Sequence, residues 1–133
     1  MEVLFVCRGN VARSQIAEGF FNHYSISHRA TSCGTSAERY SSSVVSDFAH
    51  ISDSMNEIGI DISNQKPKQI SRELVDGAQK IISMSQESLP DYVNGKDVFY
   101  WNVQDPASTS YDFHCEVRDE IGERVKGLLK ELE

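Results

Sequence analysis

Residues 3–14 read Val3-Leu4-Phe5-Val6-Cys7-Arg8-Gly9-Asn10-Val11-Ala12-Arg13-Ser14. The apolar run Val3 to Val6 has the character of a strand buried on both faces of a parallel sheet. Gly9 and Asn10 tolerate left-handed backbone, so the chain can coil tightly there. Past Ala12 the period changes, and Ile16, Phe20 and Phe21 recur at helical spacing beside Ala17. A strand, a tight loop and a helix start therefore follow one another without a break.

A loop in that position turns backbone N–H groups inward, and with the helix dipole it forms a socket for an oxyanion. Cys7 opens the loop and Arg13 closes it. The same N–H groups and the Arg13 cation stabilise a thiolate on Cys7. A thiolate facing a bound tetrahedral oxyanion is a nucleophile in line with phosphorus or arsenic. The planar fork of Arg13 can hold two equatorial oxygens. Ser14 can donate to the thiolate or to the leaving sulfur. The spacing Cys-x5-Arg is weak by itself, and the hydrophobic strand before it, the Gly-Asn pair within it and the amphipathic helix after it give it meaning.

Cys7 to Glu18 resembles the phosphate loop of the low-molecular-weight protein tyrosine phosphatases. It resembles equally that of the thioredoxin-coupled arsenate reductases, which share their fold, and the Ser-Gln-x-Ala-Glu-Gly run at Ser14 to Gly19 leans toward the reductase side. Asn56 to Ser63 is similar to a stretch of both families and Val117 to Val125 to one of the reductases, so the resemblance runs over nearly the whole chain. It implies that Arg8, Gly9, Asn10, Val11, Ala12, Arg13 and Ser14 bind the phosphate, with Cys7 and Arg13 catalytic. It also implies that Ser32, in the small polar segment after the second strand, braces Asn10.

The chain has 133 residues, 39% of them hydrophobic and 25% charged, as expected of one globular domain over residues 1–133. No apolar run approaches membrane-spanning length, and the first residues read as strand rather than signal peptide. The net charge of −7 argues against nucleic acid as a partner. Three sparse cysteines, Cys7, Cys33 and Cys115, form no zinc spacing and no disulfide framework. They suit a reducing, cytoplasmic setting, and neither a metal nor a cofactor is expected.

Strands are expected at Glu2–Cys7, Ile26–Ser32, Lys80–Met84 and Val98–Trp101. Helices are expected at Ala12–Tyr24 and over Ser71–Ala78, with a long amphipathic one through Val117, Ile121, Val125, Leu128 and Leu129. The stripe Val44, Phe48, Ile51, Met55, Ile58 reads as another helix closed by Gly59. Alternating strands and helices imply an α/β fold, a three-layer αβα sandwich. Its four-stranded parallel sheet carries helices on both faces. Cys7, Cys33, Met84 and Trp101 then fall at the carboxyl ends of strands, on one rim.

A leaving group expelled by Cys7 needs a proton. Asp105-Pro106 is a proline-stiffened turn after a strand, and the families that this chain resembles carry an Asp-Pro there. Asp105 would protonate the leaving oxygen and then activate water. Two activities follow from the resemblance. One is phosphate-monoester hydrolysis, with phosphotyrosine on a protein the foremost substrate and a small phosphate ester another. The other is arsenate reduction with an external thiol reductant or a nonstandard cysteine relay. The phosphatases usually place tyrosine after Asp-Pro, where this chain has Ala107, and Tyr40, Tyr92, Trp101 or Tyr111 would have to supply an aromatic wall. The reductases need two further cysteines just after the third strand, where Ser83 to Pro90 has none. A cation at Arg8, at the pocket mouth, would favour an acidic substrate.

Overall fold

The computed structural model describes all 133 residues. Four parallel strands, β1 (Glu2–Cys7), β2 (Arg29–Gly34), β3 (Lys80–Ser83) and β4 (Val98–Tyr100), lie in the order β2-β1-β3-β4. The helices are α1 (Arg13–Tyr24), α2 (Ile51–Asn56), α3 (Arg72–Asp76) and α4 (Tyr111–Leu132). Val3 and Phe5 point to the face covered by α1 and α4, where Ile16, Phe20, Phe21, Val117, Ile121 and Val125 complete the larger core. Leu4 and Val6 point to the other face, with Cys33, Ile81 and the α3 residue Val75. Both faces of β1 are thus buried, and that is what its unbroken apolar run encodes.

β2 begins later than its polar-interspersed sequence suggests. Ser25 accepts from the His28 amide and holds a turn, Ile26 is exposed, and pairing with β1 starts only at Glu2 with Arg29. β2 is an edge strand, as its composition implies. The expected helix over 44–58 is broken. Residues Val45–Asp47 make one 3₁₀ turn, and only Ile51–Asn56 are α-helical. The Val45 and Ser46 amides are taken by the carbonyls of Gln65 and Ser63, and His50 sits at φ 74°, so no helix can run through. Gly59, at φ 83°, closes α2 as expected, with its amide on Asn56 and that of Ile60 on Met55.

α1 and α4 meet through a seam in which Gly122 faces the Phe20 ring. A Cβ on Gly122 would lie 2.8 Å from Phe20 Cζ. Gly122→Val is expected to cost about 1–3 kcal/mol through overpacking. Thermal denaturation should show a midpoint several degrees lower, and an unchanged midpoint would mean that the seam has slack.

Candidate active site

The loop between β1 and α1 is shaped by where its carbonyls go. The Cys7 carbonyl accepts from the Thr35 amide (2.9 Å) and that of Arg8 from the Ser36 amide (2.8 Å). With these turned toward β2, the amides of Gly9, Val11 and Ala12, residues that line the cleft, have no protein acceptor. Gly34 makes the arrangement possible, because a Cβ there would lie 2.5 Å from the Arg8 carbonyl oxygen. Asn10 takes the left-handed turn at φ 55° and is wholly buried.

Cys7 Sγ lies at the floor. It is 2.9 Å from Ser14 Oγ and accepts from the Asn10 amide at 3.3 Å. Asn10 Nδ2 donates to Ser14 Oγ at 2.7 Å, which leaves the hydroxyl hydrogen free to point at sulfur. Arg13, 8% exposed, donates from Nη1 to the carbonyls of Met84 (2.6 Å) and Val103 (3.3 Å). Its Nη2 lies 3.7 Å from Asp105 Oδ2. The guanidinium is thus aimed by two backbone carbonyls that follow β3 and β4.

Asp105 stands exposed on the opposite lip, in a turn tied by its own Oδ1 accepting from the Ala107 amide at 3.0 Å. Cys7, Arg13 and Asp105 line one cleft of about 620 Å³. Tyr40 and Phe48 form its side wall, their rings edge-to-face at 5.3 Å. Tyr40 lies directly against Gly9, and the Arg39 guanidinium sits over its ring. Of the four candidate aromatics, Tyr40 alone lines this cleft. Trp101 packs on Phe5, Tyr111 on His50, and Tyr92 lies beneath Arg72.

One expectation needs correction. Ser32 does not brace Asn10, because its hydroxyl donates to Glu18 at 2.6 Å. Burial, the largest influence, raises the Glu18 carboxyl above its usual range, and the Ser32 hydrogen bond opposes it. The brace is instead the Lys68 amide, which donates to Asn10 Oδ1 at 2.8 Å, with Gln15 Nε2 adding a second bond at 3.1 Å. Gln15 also donates to the Lys66 carbonyl, so the turn Lys66-Pro67-Lys68 holds the loop through its main chain. Arg8 lines the cleft. Its Nε pairs with Glu87 at 2.9 Å, and Thr35 holds the other carboxylate oxygen.

Cys33 lies on the same rim as Cys7 but on the other face of the sheet. It pairs in register with Val6 and packs among Ile70, Val75 and Ala78. Burial, with the neighbouring Cys7 second, pushes its thiol up to about 12. Cys115 sits on α4 against Glu57 and Arg118, outside the cleft lining.

Such a loop, strand-borne and centred on a buried thiol in an α/β sheet, has the form of an oxyanion socket. The profile of the low molecular weight phosphotyrosine protein phosphatase family matches residues 2–133, and the chain belongs to that family. It is 31% identical to the glutaredoxin arsenate reductase of Synechocystis sp., over 98% of both chains. It is 30% identical to an arsenate reductase of Bacillus cereus, over 96% of this chain and 93% of that one. Among solved structures it is similar to a low molecular weight protein tyrosine phosphatase from T. tengcongensis. The TM-score is 0.85 and the identity 26%, over 98% of this chain and 99% of that one. An arsenate reductase in its phosphate-binding state superposes with a TM-score of 0.86 at 31% identity, over 99% and 98%. No helix is long and apolar enough to cross a membrane.

Proposed function

We propose that this chain hydrolyses phosphate monoesters through a cysteinyl-phosphate on Cys7, with an aryl phosphate such as protein phosphotyrosine as substrate. One observation carries the choice between reaction classes. Cys7 is the single cysteine lining the cleft, and Cys33, on the far face with its thiol pushed up to about 12, is a poor partner for an internal disulfide relay. Hydrolysis needs no second thiol. The Cys7 thiolate attacks phosphorus, the bond to the ester oxygen breaks, and Asp105 gives its proton to the departing oxygen. The Asp105 carboxylate then takes a proton from water as that water attacks phosphorus, the S–P bond breaks, and phosphate and the Cys7 thiolate are released. Arg13 and the loop amides carry the equatorial oxygens throughout. Tyr40 and Phe48 supply a wall for the aryl ring.

The arsenate reductases among the relatives favour a second reading. There arsenate occupies the socket and Cys7 displaces one oxygen as water. An external thiol then attacks Cys7 Sγ, the S–As electron pair passes to arsenic, and arsenite leaves behind a mixed disulfide. A second thiol restores Cys7. This route needs neither Cys33 nor Cys115.

Hydrolysis of p-nitrophenyl and phenyl phosphates by wild type and Asp105→Asn, under reducing conditions, tests the first reading. Turnover by wild type is expected, slowed about 10²–10⁴-fold on phenyl phosphate by the substitution and less on the nitrophenyl ester. A wild type inert toward both esters but consuming a small thiol in the presence of arsenate would replace it with the second.

A further inference from the structure

The cleft lining holds three arginines, Arg8, Arg13 and Arg39, against the single carboxylate of Asp105, in a chain whose net charge is −7. Two of the three are engaged. Arg13 is held by the Met84 and Val103 carbonyls, and Arg8 has the Glu87 carboxylate at 2.9 Å. Arg39 is exposed, and no carboxylate stands within ion-pair distance of it. The contact its guanidinium does make is with the Tyr40 ring, over which it lies 4.9 Å from the centroid. A guanidinium stacked in this way keeps its N–H edge for an acceptor.

Tyr40 ties this cation to the socket. Its Cε2 edge meets the β1–α1 loop at Gly9, and its ring stands edge-to-face with Phe48. Arg39 is therefore one aromatic ring away from the loop that surrounds Cys7. The 3₁₀ turn Glu38–Tyr40 that carries it is fixed at its start: Gln69 Oε1 accepts from the Ala37 amide at 2.7 Å and from the Glu38 amide at 3.2 Å, and Ala37 is buried. An aryl phosphate whose ring lies along Tyr40 brings the chain that bears it out at the rim beside Arg39. An extended peptide advances about 3.3 Å per residue, so side chains one or two positions from the phosphotyrosine come within reach of the cation.

We infer that Arg39 is a specificity-determining residue: it takes a carboxylate that flanks the phosphorylated tyrosine, so the preferred substrate is an acidic phosphotyrosyl peptide. The inference rests on the hydrolase reading and names the substrate class of the same site. The acidic surface repels such a peptide at a distance, and the excess of arginine in the cleft reverses the sign locally. The flank lies away from the reacting atoms, so the preference belongs to KM rather than kcat.

The test measures kcat and KM on two phosphotyrosyl peptides, one with Asp and Glu at the two positions on each side, the other with Asn and Gln in their place. Wild type, Arg39→Gln and Arg39→Glu are compared, with p-nitrophenyl phosphate as the flank-free ester. Wild type is expected to favour the acidic peptide about fivefold in kcat/KM, the size of one exposed ion pair. Arg39→Gln should bring the ratio to about one, and Arg39→Glu should turn it in favour of the amide peptide. Because each variant is read as a ratio, a general loss of activity does not imitate the effect. A wild-type ratio near one, or a ratio that survives in Arg39→Gln, would overturn the inference. So would equal losses on both peptides, which mean that Arg39 only supports the Tyr40 ring. A wild type inert on the ester and on both peptides overturns the hydrolase reading and this inference with it. One active on the ester but indifferent to the flanks, or inert on both peptides, overturns this inference only.

Discussion

Cys7→Ser is expected to abolish turnover, by about 10⁴-fold or more, while phosphate still binds. A serine hydroxyl in the same place is a far weaker nucleophile, and no base lies against Sγ to activate it. Its neighbours are the Ser14 hydroxyl and the Asn10 amide, which donate to a thiolate rather than accept from an alcohol. The socket amides and Arg13 are untouched by the change, so oxyanion affinity survives. Rate measurements paired with calorimetric binding of inorganic phosphate separate the two effects. Residual hydrolysis within tenfold of wild type would remove Cys7 from the centre of the chemistry.

Arg13→Lys is the second large effect. It keeps the charge and is expected to lose about 10³-fold in kcat, because an ammonium cannot span two equatorial oxygens. The guanidinium is held by the Met84 and Val103 carbonyls, so its fork is fixed before any ligand arrives. Lysine leaves at least one of those buried carbonyls unpaired, at about 1–3 kcal/mol, and the variant should unfold at lower denaturant. Kinetics and urea denaturation of the same preparation check both parts. Near-wild-type kcat would mean that the loop amides alone carry the developing charge.

The parts of the site legible in sequence are those contiguous along the chain. β1, the loop and the start of α1 occupy residues 2–14, and each signals itself by residue type: apolar run, Gly-Asn, helical period. Asp105 was visible through its proline and through the resemblance. What stayed hidden is held by main chain. The carbonyls that aim Arg13 and the Lys68 amide that braces Asn10 exist at every residue, so no composition marks them. The resemblance puts the brace in a serine, but Ser32 donates to Glu18. Gln15 had a signal, a polar residue among the buried positions of α1, which only a partner inside the fold explains. The helix expected over 44–58 shows the limit of periodicity. The stripe marks Ile51 and Met55 as core, but it cannot sense that two amides upstream are already spent on the 63–65 turn. His114 and His50 meet only because α4 crosses the start of α2.

Lys66 and Lys68 make the segment 66–69 basic, but it is mostly main chain that ties it into the fold. It grips its surroundings through the Lys66 carbonyl on Gln15, the Lys68 amide on Asn10, the Lys68 carbonyl on the Gly34 amide and the Gln69 side chain on Ala37 and Thr35. Three of these four grips use backbone. The identities of residues 66 and 68 are therefore free to drift under selection, while their number is not. A single inserted or deleted residue would shift every grip out of phase and release the loop between β1 and α1, so the segment tolerates changes of spelling and forbids changes of length.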